Sequence, residues 1–480
     1  MLRALMAQLP DKETSFFEWY NEVLEVANVT DKRYPVKGVN VWTPFGFKAV
    51  SLMDRLIREK VTPLGYQEVC FPTLIPESEL NKEAEHIKGF GEEVYWVTHG
   101  GRTELDIKLA LRPTSETAMY PIFALWVRSH RDLPLQVFQI VNTFRYETKS
   151  TRPLIRVREI HFFEGHTVQL GDAEAESQAR ADLASFREIA KVLCLPYVMD
   201  RRPDWDKFPG AFYSIACDLP VGGNRTLQIG TVHHYSQNFA KPYGISYEDK
   251  DGARLVPSQT TYGISERLLG GTIAIHGDQK GLVWPSFVAP TQVVIIPIPG
   301  ENDPAPLIAR AEEVRAELLR IPLRVEIDAT EGRPGAKYYA WEMKGVPLRI
   351  EIGRRELEEG TLSAVNRLGG RTKLAKGDAA AQVQAALAAY DVALTERARK
   401  SFATNVNVAR DGPGVVAEKA NLVGWCGEQT CAQEVEKRWG LSVLGRLEEA
   451  PEALSLGPAP PPCIVCSKSG GAWSLAAKAL

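Results

Sequence analysis

The sequence predicts an α+β chain of several domains. Three observations carry that expectation. The chain has 480 residues, more than a single hydrophobic core supports, so roughly two to four domains are expected. Near residue 286 the strands change style. Short β-like runs between Gly-rich turns give way to continuous apolar strands alternating with helical stretches. Four of the seven cysteines fall in the last fifth of the chain, which in a cytosolic protein points to metal before disulfide.

From the N-terminus, "GFKAVSLMDRLIREK" (46–60) spaces its apolar residues as a helix. It leads through "VTPLGYQEVCFPTLIP" to a short strand ending at Pro72, where proline suits a strand end or edge. "AEAESQARADLASFREIAKVL" reads as helix. From 209 to 285, "RTLQIGTVHHY", "QTTYGIS" and "GTIAIHGD" read as β-like runs of an antiparallel sheet with inserted helices. After 286, "TQVVIIPIP", "PLRVEID" and "VPLRIEIG" alternate with the helical "APLIARAEEVRAELLR" and "KYYAWEMKG", a βαβαβ pattern. A long helical segment, "AAAQVQAALAAYDVALTERARKSFA", leaves that domain for the cysteine-bearing region. Cys70, Cys194 and Cys217 are scattered among apolar residues and read as buried small side chains.

Composition narrows the class. Hydrophobic residues make up 44% and charged residues 24%, the balance of a soluble globular protein. Net charge is −3, so any nucleic-acid contact must use local patches. The N-terminal apolar run is too short for a signal peptide, and no stretch approaches the ~20 apolar residues of a membrane span. A cytoplasmic location and no membrane contact are expected.

The densest chemistry lies in "FRYETKSTRPLIRVREIHFFEGHT" (144–167). Arg145, Lys149, Arg152, Arg156 and Arg158 surround Glu147, from the end of the strand-like "LPLQVFQIVNTF" into the returning "LIRVREIHFF". Strand, polar loop, strand is a hairpin, and the shared parity of 145 and 147 puts both on one face. Arginine can fork onto a phosphate, and a glutamate beside it can accept from an exocyclic amine, so the stretch suits a nucleotide triphosphate. The common nucleotide motifs are missing. There is no GxxxxGK[ST], and "GPGVVA" (412–417) has a proline inside it and no preceding strand, so it reads as a loop.

Here the chain resembles a known family, the class II aminoacyl-tRNA synthetases. Motif 1 looks like "AVSLMDRLIREKVTPLGYQEVCFP", motif 2 opens at Phe144, Arg145 and Glu147, and motif 3 looks like "TTYGISERLLGGTIAIHGD" with its arginine at Arg267. The class I signatures HIGH and KMSKS are absent. "LRPTSETAMY", "KFPGAFY", "LQIGTVHHYSQNFAK" and "HGDQKGLVWPSFVAP" are similar to prolyl-tRNA synthetases of the archaeal and eukaryotic type. The resemblance runs from about residue 12 to the end. It implies a class II antiparallel-sheet catalytic domain over 1–285, an α/β anticodon-binding domain over 286–395, and a small zinc-binding α/β domain over 396–480.

The implied activity joins L-proline to tRNA(Pro) through a prolyl-adenylate made from ATP, with Mg²⁺ as the counterion. The implied proline pocket is Thr114, Glu116, Arg145, Phe162, Phe208 and His233. The implied ATP contacts are Arg145, Glu147, Arg156, Gln228, Thr231, Ser265 and Arg267, with Arg145 and Arg267 as catalytic groups. Taken alone, "TSET" also suits a helix N-cap, a role that can coexist with the pocket, while Gln228 and Thr231 are equally outward strand residues and Arg267 is equally a surface charge. Cys426-x4-Cys431 and Cys463-x2-Cys466 supply two close thiolate pairs, which suit a closed structural zinc site or remain free thiols. Glu342, Lys344, Arg354 and Arg355 form an expected patch for tRNA, or ordinary surface charge. The resemblance also implies a homodimer through motif 1.

Three departures stand out: Phe162 where the family usually has tryptophan, Phe287 where it often has arginine, and Leu480 where it usually ends in tyrosine. The segment between motifs 2 and 3 is too short for the bacterial type's editing domain. Two further readings stay open, a sister synthetase for another small amino acid such as threonine, and a synthetase-like paralogue that binds tRNA or regulates without catalysis.

Overall fold

The computed structural model describes residues 8–82, 93–147, 151–300, 303–375, 377–457 and 459–480. Lys149 lies outside the described residues. Helix α1 spans Phe16–Val26 and helix α2 Pro44–Val61. The start of α2 is set locally: Thr43 accepts from the Gly46 N–H at 3.1 Å and Pro44 holds the first position. Ala49, Val50, Met53, Leu56 and Ile57 form its buried face, at the spacing of one helix side.

A short strand β1, Gln67–Glu68, follows and lies parallel to the hairpin strand β2, Leu135–Phe144. Between them helix α3, Glu116–Trp126, enters the core. Strand β3, Glu159–Gln169, returns antiparallel to β2, and helix α4 covers Asp172–Val192. Strands β4 (Val198–Arg201), β5 (Tyr213–Gly222), β6 (Arg225–Ser236) and β7 (Ser258–Ser265) complete the first part of the sheet. Helix α5, Arg267–His276, closes it. From β4 to β2 every neighbouring pair is antiparallel, in the order β4-β5-β6-β7-β3-β2.

This sheet is buried on both faces. One face packs on α1, α2, α4 and α5 through residues such as Trp19, Met53, Phe186 and Ile273. The other packs on α3 through Tyr120, Phe123, Tyr235 and Phe239. The packing of α4 on β6 is close enough to require glycine at 230, where a Cβ would sit 2.3 Å from the Phe186 ring.

Two sequence expectations fail here. "GTIAIHGD" is mostly the second half of helix α5, not a strand. Leu268 to Ala274 are all buried, so no polar face marks the helical period. Gly270 and Gly271 are packing sites rather than turn residues, since a Cβ on either would come within 3 Å of Tyr20, Leu154 or Leu219. Cys70 is exposed rather than buried, because its segment runs along the sheet's outer edge beyond β1.

The α/β region forms its own sheet. Strands β8 (Val293–Pro297), β9 (Val325–Ile327), β10 (Leu348–Ile352), β11 (Leu362–Asn366) and β12 (Arg371–Leu374) lie in the order β9-β8-β10-β11-β12, with the first three parallel. Helix α6, Ala305–Leu318, covers one face, and helix α7 is Pro334–Met343. Helix α8, Ala379–Asn405, then runs across residue 395. Val383 and Leu387 belong to the α/β core, Tyr390 and Leu394 pack on Cys194 and Val283, and Phe402 joins the C-terminal core.

The C-terminal strands do not form a sheet of their own. Strands β13 (Val406–Val408), β14 (Ala420–Trp425), β15 (Ser442–Leu447) and β16 (Ala472–Ala479), with helix α9 (Gln429–Trp439), extend the first sheet past β4. Strand β15 pairs with β4 at Arg446 and Arg201, and β16 touches β6 at Lys478 and Arg225. The result is one sheet of eleven strands among the described residues, with separate hydrophobic clusters at its C-terminal end.

Candidate active site

A cavity of about 430 Å³ opens on the face of β6 and β7 towards the hairpin loop. Its two halves differ in charge. One half is cationic. Arg145 follows β2 and donates from Nε to the Pro113 carbonyl at 3.3 Å. Arg156 reaches Glu147 at 3.4 Å, and Arg267 donates to the Ile155 carbonyl at 2.7 Å. The three guanidinium groups share one space. Burial, then the charges of Arg145 and Arg156, press Arg267 down to about 10 from the usual arginine range. At Arg267 the two neighbouring guanidinium charges outweigh the attraction of Glu147 and Glu266, and cations crowded in this way form a receptor for a polyanion.

Gln228, Thr231 and Ser265 line the same half. On a regular strand 228 and 231 would face opposite ways. They share a face because β6 has a bulge: Gly230 pairs with Cys217 and Gln228 with Asp218, leaving Ile229 as an extra residue.

The other half is a niche with a single acid at its base. Glu116 is buried at the first turn of α3 and accepts from the Tyr235 hydroxyl at 2.8 Å and from Thr114. The N-cap position is Ser115, without a side-chain cap bond, so Thr114 serves the niche and not the helix end. His233 faces Glu116's side of the niche, and burial pushes it down to about 4, so it is neutral at pH 7. Its Nδ1 shares a hydrogen bond with Ser214 Oγ at 2.7 Å, and Phe208 stacks on its ring at 4.6 Å. Phe162 adds an apolar wall. An ammonium attached to a small apolar ring fits such a niche.

Every residue that the resemblance assigns to the proline and ATP pockets lines this one cavity: Thr114, Glu116, Arg145, Glu147, Arg156, Phe162, Phe208, Gln228, Thr231, His233, Ser265 and Arg267. Two neighbouring cations do not. Arg152 lies over the Phe17 ring at 3.5 Å, and Arg158 lies over Tyr146 and bonds the Glu147 carbonyl. They hold the loop instead of a ligand. The parity argument for 145 and 147 also fails, because β2 ends at Phe144 and the loop brings both residues in.

The comparisons follow this geometry. Residues 95–276 match the tRNA synthetase class II core domain of the G, H, P, S and T type. Residues 292–386 match an anticodon-binding domain. The proline–tRNA ligase of Thermococcus kodakarensis is 48% identical over 462 residues, covering 95% of each chain.

The chain belongs to the prolyl-tRNA synthetases.

Solved structures agree. The Giardia lamblia prolyl-tRNA synthetase in complex with prolyl-adenylate matches with a TM-score of 0.93 at 34% identity, covering 98% of this chain and 100% of that one. The Cryptosporidium parvum enzyme complexed with halofuginone and AMPPNP matches at 0.91 and 30% identity, covering 98% of this chain and 96% of that one. Beyond the residues of the sequence reading, Arg202, Trp205, Ser214 and Glu266 line the cavity, and Tyr235 bonds Glu116 from behind it. Tyr235 was legible, since it follows Thr231 and His233 on alternate positions of one strand face. Glu266, raised to about 7 by burial, accepts from the His161 N–H at 2.7 Å and fixes the start of α5 beside Arg267.

Away from the cavity, the synthetase brings Cys426, Cys431, Cys463 and Cys466 together, with their sulfurs all within 4.8 Å of one another. Cys426 and Cys466 are 3.8 Å apart, too far for a disulfide. It is also about the sulfur spacing of a tetrahedral site with Zn–S bonds of about 2.3 Å. Burial opposes a thiolate at Cys463, yet backbone N–H groups of Cys466, Val465 and Cys426 pull it down to about 7. The donor set fits zinc. The anticodon-binding region is more guarded: Arg354 and Arg355 pair with Glu358 and Glu359, Glu342 lies 3.7 Å from Arg349, and Lys344 lies over Trp341 at 4.6 Å. No described helix is long and apolar enough to cross a membrane.

Proposed function

We propose that the cavity activates L-proline with ATP and passes it to the 3′ end of tRNA(Pro). The observation that carries the reading is the three-guanidinium half beside the Glu116 niche. In the niche, Glu116 and Thr114 take the secondary ammonium. His233, being neutral, adds no opposing charge, and Phe162 and Phe208 pack on the ring. Arg145 sits between the halves, where it holds the carboxylate and the α-phosphate together.

The first step is an in-line displacement. A proline carboxylate oxygen attacks the α-phosphorus, and pyrophosphate leaves. In the second, the terminal tRNA hydroxyl attacks the carbonyl of the mixed anhydride, and AMP leaves. No side chain acts as nucleophile. Arg156 and Arg267 stabilise the outer phosphates, Glu147 receives the adenine amine, and Gln228, Thr231 and Ser265 complete the nucleotide contacts. Mg²⁺ enters with the triphosphate as part of the substrate.

We assign 1–285 to catalysis, 286–395 to anticodon binding and 396–480 to a zinc-binding unit, with zinc held by the four cysteines. Zinc there is structural, since all four ligand positions are filled by thiolates. The exposed edge at Cys70 and Leu74, together with the exposed Phe47 of α2, supports a homodimer through motif 1. A cytoplasmic setting goes with charging tRNA for translation.

Amino-acid-dependent ATP–pyrophosphate exchange over all twenty amino acids tests the reading. Exchange dominated by proline is expected. Exchange with another amino acid overturns the niche assignment, and none at all with ATP bound favours the non-catalytic paralogue. Metal analysis should find one zinc per chain, and light scattering should find a dimer.

A further inference from the structure

Residues 202–209 form one wall of the cavity, contributing Arg202, Trp205 and Phe208 among others. At one end this loop governs the niche. Arg202 N–H donates to the Ser214 carbonyl and Phe208 N–H to Ser214 Oγ, both at 2.9 Å. The same hydroxyl bonds His233, on which the Phe208 ring stacks. A shift of the loop therefore moves the wall that faces Glu116.

At its other side the loop is tied to the C-terminal region by two contacts. Arg202 Nη1 donates to the Leu444 carbonyl of β15 at 3.2 Å. Trp205 meets Trp425 edge to face, with ring centroids 5.9 Å apart and planes at 84°. Trp425 is the last residue of β14, and Cys426 follows it. Its indole N–H donates to the Glu428 carbonyl at 3.1 Å, between Cys426 and Cys431. The second thiol loop presses on the preceding residue: a Cβ at Gly424 would lie 2.2 Å from the Pro461 carbonyl oxygen. Ile464 N–H donates to the Gly424 carbonyl at 3.1 Å, between Cys463 and Cys466. Trp425 is thus fixed by both halves of the thiol centre. The cationic half has other supports, since Arg145 and Arg267 bond Pro113 and Ile155.

We propose that Trp205 is a positioning residue for proline, held by Trp425, so that assembly of the four-thiolate centre sets the wall of the amino-acid niche. The proposal rests on the niche being the proline pocket. It predicts a selective effect: disturbing the centre weakens proline binding and leaves ATP binding nearly unchanged.

The test uses full-length protein and ATP–pyrophosphate exchange with Trp205→Leu, Trp425→Leu and the double variant. Each single change should raise KM for proline about three- to tenfold, the scale of an edge-to-face aromatic pair. KM for ATP should stay within about twofold. The double variant should be no worse than the poorer single one. Trp425→Phe, which keeps a ring edge and guards against a folding defect, should restore most of the affinity. Removing the metal should raise KM for proline in the parent protein but not in Trp205→Leu. It should also reduce the near-ultraviolet circular dichroism difference between those two proteins, by removing the coupling of the two indoles, a readout independent of activity.

Additive effects in the double variant, an equal rise in KM for ATP, a dichroism difference left unchanged by metal removal, or protein purified without metal would each overturn the proposal. Phe208→Ala separates the two readings. If it leaves KM for proline unchanged, the niche assignment itself is wrong. If it raises KM while the tryptophan changes do nothing, only the present proposal falls.

Discussion

Arg267 in the cavity and Arg355 in the α/β region are both arginines near glutamates, the first in the largely apolar "YGISERLLGGTIAI" and the second in the charged "GRRELEEG". Their surroundings are opposite. Arg267 is enclosed with Arg145 and Arg156, and burial and those like charges press it down to about 10. Arg355 is exposed on a short helix and bonds Glu359 at 2.8 Å, and that hydrogen bond raises it. A protein tolerates crowded, half-buried cations where a ligand completes the neutralisation, whereas an arginine already matched by its own glutamate asks for nothing. Excess charge in an enclosed space, more than charge itself, marks the site.

The largest expected effect lies on the crowded side. Arg145→Ala and Arg267→Ala should each lower kcat for pyrophosphate exchange by about 10²–10³, the scale of removing one donor to a developing oxyanion. Near-parental exchange in either variant would break the contrast. Next comes Glu116→Gln, which keeps the shape of the niche and removes its charge. Losing one partner of a buried ion pair costs at least ~2 kcal/mol, so KM for proline should rise about thirtyfold or more. KM for ATP should change little. Equal changes in both constants would show that Glu116 supports the fold and not the ammonium.

Much of this was legible because the motif residues sit on short, local frames. Arg145 and Glu147 lie two residues apart on one loop, and "TSET" enters one helix, so each group stays together in a short motif that the family resemblance could carry over whole. Long-range placement of the pocket residues came from the family resemblance and not from their own spacing. Gln228 and Thr231 share a face only through the bulge at Ile229, and no periodicity announces an extra residue in one strand. Trp205 and Trp425 meet across more than two hundred residues. The C-terminal strands read as a separate α/β unit because their own alternation carries no record of which sheet they extend. Arg152 and Arg158 added to the charge of a stretch that suits a triphosphate, because the sequence shows their charge and hides the rings beneath them, Phe17 and Tyr146.

The histidine of the cavity sharpens the comparison through pH. Burial holds His233 down to about 4 in the folded chain, against about 6.5 when unfolded. Between these values the unfolded chain binds the proton and the folded chain does not. Stability contributed by neutral His233 is therefore full above about pH 6.5 and is lost as pH falls towards 4. The loss is on the order of 3 kcal/mol by the lower end. His233→Asn should flatten this part of the Tm–pH curve, and an unchanged slope would mean that the ring is already hydrated.

The smallest effect belongs to Arg355, and it is the most useful control. Its guanidinium pairs with Glu359 four residues on, and Lys373 also bonds that carboxylate at 2.6 Å. An exposed pair of this kind is screened by solvent and salt. Arg355→Ala should leave proline-dependent exchange and Tm unchanged, because Lys373 still neutralises Glu359. If the residue touches tRNA, the change appears elsewhere: aminoacylation should show a higher KM for tRNA at unchanged KM for proline and ATP, and the difference should shrink as salt is raised. Should Arg355→Ala instead reduce exchange, the two regions are coupled through the protein, and a count of local charges would no longer separate a binding site from a solvated surface.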